Sequence, residues 1–271
     1  MTQTSIALES SFGTELVQRI RTASPLIWWT VIAMLVLSVI CIGLQSMDPR
    51  LINGANVWHK PAKFFFSIAI QFATVGWGVS LLPTAEQAWR SVRWSITAMV
   101  GAGWLEMAYI VFRASRAEAS HFNHSTVTAD VLYSLMGLGA VSMMVAAGYV
   151  GYRLWRNRDG NLLKESVALG LMLGAVLGGV AGAYMSSQYG HGVGGDPTDA
   201  TGTGFFGWST TGGDLRIAHF VGLHAAQIIP LAAFSGSRRV MWLVALFCTI
   251  ATVGTFALAA SGAPLFSMNP S

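Results

Sequence analysis

Apolar residues along this chain neither alternate with polar ones nor form a stripe beside a charged face. They run on seven times, over 24–47, 64–85, 94–112, 131–152, 166–187, 217–234 and 240–263, the third broken only by Glu106 and the sixth carrying His219 and His224. A helix needs about 20 apolar residues to cross about 30 Å of hydrocarbon. Each run is close to that length, and such runs exclude the alternating pattern of a β-barrel. The pattern predicts an all-α integral membrane bundle of seven transmembrane helices filling 25–264. Before it, in 1–24, Phe12, Leu16 and Ile20 recur at helical spacing beside Arg19 and Arg21, which predicts an amphipathic helix lying on the membrane surface. A long Gly- and Thr-rich loop over 188–213 reads as a lid or a solvated linker, and 265–271 as a tail.

Composition agrees. Charged residues make up 10% of the 271 and hydrophobic ones 53%, against about 25% charged in an ordinary soluble domain. That excludes a typical soluble enzyme, a disordered chain and a nucleic-acid binder, and makes the lipid bilayer the first partner. Two cysteines, Cys41 and Cys248, build no disulfide framework; they fall at different depths, so no bond between them is expected.

The basic residues set the direction of threading. Ten of them (Arg19, Arg21, Arg90, Arg93, Arg153, Arg156, Arg158, Lys164, Arg238 and Arg239) fall on the side of the N-terminus, and six (Arg50, Lys60, Lys63, Arg113, Arg116 and Arg216) on the other. By the positive-inside rule the N-terminus is cytoplasmic and the C-terminus outside. This threading puts all six histidines, His59, His121, His124, His191, His219 and His224, on or near the outer side. Glu106 and Asp130, the two acids at the spans, fall there too.

Charges in hydrocarbon face the bundle interior, paired or lining a cavity. Glu106 is either half of an ion pair with Arg113 or Lys63, or a proton-handling or metal-ligating carboxylate. Asp130 suits the first turn of the fourth span, where the helix dipole favours an acid, but it is also a catalytic candidate. His121 and His124, three residues apart, could share a metal or simply sit at the interface. In the sixth span Arg216, Phe220, His224 and Gln227 share one stripe, while His219 lies about 140° from His224; the two imidazoles therefore cannot reach one ion from a regular helix. Lys63, Ser67 and Gln71 form a polar stripe on the second span, whereas Lys60 can snorkel to the interface. Gly170, Gly174, Gly178 and Gly182 recur every four residues on the fifth span, a small-residue face for close helix packing or for a homo- or hetero-oligomer.

Lys60-Pro61-x-Lys63-Phe64, Ser120-His121-Phe122-Asn123 and Asp214-Leu215-Arg216-x-Ala218-His219-Phe220-x-Gly222-Leu223-His224 together resemble a bacterial polytopic family of hypothetical membrane proteins. The resemblance touches the second, third, fourth and sixth spans. It implies a bacterial inner-membrane location and brings no activity with it.

The leading expectation is a polar pocket in the outer, extracytoplasmic half of the bundle. Glu106, Asp130 and His224 are its catalytic candidates, and Lys63, Arg216 and Gln227 line it. His121, His124, His219, His224 and Glu106 are the candidate ligands of a divalent metal, and a small lipophilic or periplasmic molecule is the candidate substrate. Three alternatives stay open: a haem b redox protein with His224 as an axial ligand, a proton-coupled transporter, and a structural subunit of a membrane complex.

Overall fold

The structure, a computed structural model, describes residues 3–196, 198–200 and 202–267. The Phe12 side chain and the end of the tail lie outside the described residues. In chain order the elements are α1 (Gln3–Ala23), α2 (Pro25–Gln45), β1 (Leu51–Ile52), β2 (Ala55–Asn56), α3 (His59–Ser80), α4 (Thr84–Gln87), α5 (Arg90–Ser115), α6 (Val127–Arg156), α7 (Leu162–Ser186), β3 (Gly192–Val193), β4 (Gly213–Asp214), α8 (Leu215–Leu231), a 3-10 turn (Ala232–Ser235) and α9 (Arg238–Ala260). Seven helices are long and apolar enough to span a membrane: α2, α3, α5, α6, α7, α8 with its 3-10 extension, and α9. The chain is a multi-pass, all-α membrane protein.

Several helices outrun their apolar stretches. The second span starts at His59 rather than 64, and the third at Arg90 rather than 94, because backbone hydrogen bonding continues into residues that face water or headgroups. Polar caps set the true starts. Ser24 accepts from the Ile27 amide, with Pro25 in the first turn separating α1 from α2. Thr126 caps α6, Asn161 caps α7 and Asp214 caps α8, each satisfying an amide that the helix leaves unpaired.

Consecutive spans pack as antiparallel neighbours. The ends of α2, α5, α7 and α9 and the starts of α3, α6 and α8 share one end of the bundle, called here the loop face; α1 begins the other, the N-terminal face. Ile20 of α1 is buried and would touch a Cβ placed on Gly76 of α3, so α1 docks on the bundle near its C-terminal end. Val39, Leu138, Val145 and Phe247 are exposed on the outside, an apolar girdle fitted to lipid. Cys41 and Cys248 are both buried and free, as their depths implied.

The tightest seam joins α7 to α8. A Cβ on Gly174 would stand 3.1 Å from Ala226, one on Gly178 2.5 Å from Leu223, and one on Gly222 2.7 Å from the Gly178 amide. In lipid, helices associate through close van der Waals packing rather than by hiding apolar surface from water. The glycine face of α7 is therefore a packing face, but α8 of the same chain covers it. The expectation that Gly170, Gly174, Gly178 and Gly182 hold a partner chain is corrected accordingly.

Candidate functional site

The polar candidates separate into groups at different depths, two of them at the loop face and one deeper in the bundle, instead of lining one pocket.

The first group centres on Glu106 of α5, which is buried. Its Oε1 lies 3.6 Å from His121 Nε2. Residues 117–126 form the loop that carries this imidazole over the end of the third span. The His121 ring packs edge-on between Phe64 and Tyr133, with centroids 5.6 and 5.8 Å away, and its Nδ1 meets the Ser120 hydroxyl at 3.2 Å. Burial pushes the His121 pKa well below the ordinary imidazole value, and the nearby Lys60 and His219 push it the same way; His121 is neutral at pH 7. Lys60 sits with its ammonium 5.4 Å above the Phe64 ring, within electrostatic reach of Glu106. The expected ion pairs to Glu106 do not form: Arg113 takes Glu118 instead, and Lys63 turns to the outer loop.

The second group is an ion cluster at the start of α8. Asp214 is completely buried and caps the helix by accepting from the Arg216 amide at 3.0 Å. The same carboxylate grips the Arg216 guanidinium at 2.7 Å, and Asp199 meets it from the outer loop at 2.9 Å. His191 stands 3.7 Å from Asp199 and 3.8 Å from Asp214. Burial alone would raise the Asp214 pKa, but the hydrogen bonds and charge of Arg216 outweigh it and hold the carboxyl below its usual range. Burial pushes His191 down, and the Arg216 charge pushes it further, against the pull of the two acids. The cluster is thus two carboxylates, one guanidinium and a neutral imidazole. It ties the 188–213 loop to the bundle, so that loop is anchored structure and not a solvated linker. β3 pairs with β4, closing the loop on itself.

The third group lies deeper. Gln227 of α8 donates to Thr74 Oγ1 at 2.8 Å and to Gln71 Oε1 at 3.4 Å on α3. His224 packs its ring against Phe220 at 4.1 Å. His219 points away to α7, its Nδ1 2.7 Å from the Gly178 carbonyl, which is the divergence that the helical angle between the two histidines requires.

Asp130 stands in the first turn of α6, as its place ahead of the fourth span implied; it is half-exposed and pairs with His124 at 2.7 Å. Among the described residues no three His, Cys, Asp or Glu side chains converge to hold a metal ion. The expected ligand set is dispersed: His124 on Asp130, His219 on a backbone carbonyl, His224 on an aromatic ring, and only Glu106 and His121 together.

Compared with protein-family models, with curated proteins and with solved structures, the chain matches none of them.

Sequence reasoning did not single out Asp199 and Asp214, the two acids that hold Arg216. Asp214 carried a usable signal, since an acid just ahead of a helical run is a cap. Asp199 carried none, because its partner comes only through the fold of a long loop. The same holds on the N-terminal face, where buried Glu86 of α4 accepts from Arg153 at 2.8 Å and Asn157 at 3.0 Å, and Glu165 pairs with Arg238 at 2.7 Å.

Proposed function

We propose that this multi-pass membrane protein handles a proton at the Glu106–His121 pair while acting on a lipid-soluble or periplasmic small molecule. The proposed setting is a bacterial inner membrane, with the N-terminus in the cytoplasm and the loop face extracytoplasmic. The observation that carries the reading is the 3.6 Å approach of a neutral, loop-borne imidazole to a buried carboxyl inside a span. A carboxylate in hydrocarbon is costly and functional by default. Its protonated form can give its proton to His121, and the imidazole, only partly buried, can pass it on to water or a bound molecule. A divalent metal plays no part in this reading.

Infrared difference spectroscopy on the purified protein in nanodiscs tests it. A pH jump should produce a protonated-carboxyl band that disappears in Glu106→Gln, shifts in His121→Gln and persists in Asp130→Asn. A band that survives Glu106→Gln, or a Glu106 band that ignores His121→Gln, overturns the assignment.

A further inference from the structure

Three adjacent carbonyl oxygens of the outer loop are each held by a different side chain of the bundle. Phe205 O meets His59 Nε2 at 2.9 Å, Phe206 O accepts from Lys63 Nζ at 2.9 Å, and Gly207 O accepts from Arg216 Nη2 at 2.6 Å. The carbonyls belong to a tight turn closed by the Thr203–Trp208 bridge. A turn normally spends its carbonyls on its own amides or on water; here three in a row are aimed at one cationic rim.

Arg216 of the rim is matched by Asp214 and Asp199, but Lys63 is not. Among the described residues neither Lys60 nor Lys63 has a carboxylate within ion-pair distance, whereas Lys164, on the N-terminal face, has Asp159 at 2.8 Å. Arg216 is held in place by Asp214 and Asp199, so its remaining N–H edge is presented in a fixed direction. An ammonium, an imidazole N–H and an oriented guanidinium around three oxygens make a donor set that recognises a tetrahedral oxyanion. We propose that Lys63, Arg216 and His59 form a binding site for a phosphate-type oxyanion, in which the 203–208 turn now stands in for the ligand.

The surroundings favour a lipid headgroup as the source. The site lies at the membrane end of α3 and α8, at headgroup depth. Beside it Trp208 stacks between Phe206 at 4.4 Å and Phe266 at 5.8 Å, with Phe220 against its edge. Phe205 and Phe206 are themselves half-exposed, an apolar wall for acyl chain. A charged phosphate oxygen bonds an ammonium more strongly than a neutral carbonyl does, so the ligand would displace the turn. This inference does not depend on the Glu106–His121 reading.

The chain contains only three lysines, Lys60, Lys63 and Lys164, so lysine acylation read by mass spectrometry is a clean probe. The full chain in zwitterionic nanodiscs is treated with dioctanoyl phosphatidic acid, with inorganic phosphate or with uncharged dioctanoylglycerol. At a lipid concentration about four times Kd, phosphatidic acid should cut the labelling of Lys63 about fivefold, since only the empty fraction reacts. Lys164 should be unaffected, and amide exchange over 204–208 should rise. Lys63→Gln should weaken binding about tenfold, the worth of one charge-assisted bond, and Lys63→Arg should retain it. Equal protection by inorganic phosphate would overturn the lipid source and leave a free oxyanion; equal protection by dioctanoylglycerol, or none by any probe, would overturn the site. The wild-type footprint decides this even where Lys63→Gln fails to fold.

Discussion

The imidazole of His219 lies on the carbonyl of Gly178, Nδ1 to oxygen 2.7 Å, in a groove that exists only because α7 has no side chains there. A Cβ on Gly182 would come within 2.8 Å of that ring, and a Cβ on Gly178 within 2.5 Å of Leu223. One contact thus accounts for the placement of both a part-buried histidine and a glycine repeat.

Alanine at Gly178, Gly182 or Gly222 should cost about 1–3 kcal/mol by overpacking the seam. Gly254, whose Cβ would meet nothing within 4 Å, should tolerate alanine with no loss, or gain up to about 1 kcal/mol from helix propensity. Thermal unfolding in detergent compares them; equal losses at all four positions would refute the packing role.

Asp214→Ala removes the acid that both caps α8 and grips Arg216, leaving Asp199 to pair the guanidinium, and should destabilise by about 1–3 kcal/mol, the usual cost of a lost cap and charge-assisted bond. Because the folded pKa of Asp214 is held below its ordinary 3.8, its stabilisation is complete above that pH. It fades as pH falls below 3.8 toward the folded value. Unfolding curves from pH 6 to 2 should therefore show an acid limb that flattens in Asp214→Asn.

His121 predicts a second pH effect in another window. Its folded pKa lies well below the ordinary 6.5, so the unfolded chain takes up a proton that the folded one refuses. Stability should fall as pH drops below about 6.5, with a slope approaching 1.4 kcal/mol per pH unit. His121→Gln should reduce that slope by the share of one histidine, leaving the part that His191 contributes and the Asp214 limb intact. Calorimetry between pH 8 and 5 checks it.

Tyr189, 95% exposed on the loop face, reports the orientation. Tyr189→Cys should react in intact cells with a membrane-impermeant maleimide, while the two native cysteines, both buried, stay silent. Labelling only after the cells are opened would reverse the proposed threading.

Class and span number were legible in the sequence, because hydrocarbon imposes one length and one backbone solution on every crossing. The gathering of histidines at one end follows from the same counting, since seven antiparallel crossings decide which loops meet. The divergence of His219 from His224 was legible too, because one helix carries both and its period sets the angle.

Partners across helices were not legible. Arg113 had two acids within reach and took Glu118; Glu106 was left to an imidazole delivered by a loop. Periodicity says which face of a helix a residue occupies, not what stands opposite or how a long loop folds back. The turn at Phe205–Gly207, pressing backbone oxygens onto His59, Lys63 and Arg216, leaves no trace in residue types, because its acceptors are main-chain atoms that every sequence has. Length and hydropathy are properties of a segment and can be read along the chain; a site is a relation between segments, and only their packing decides it.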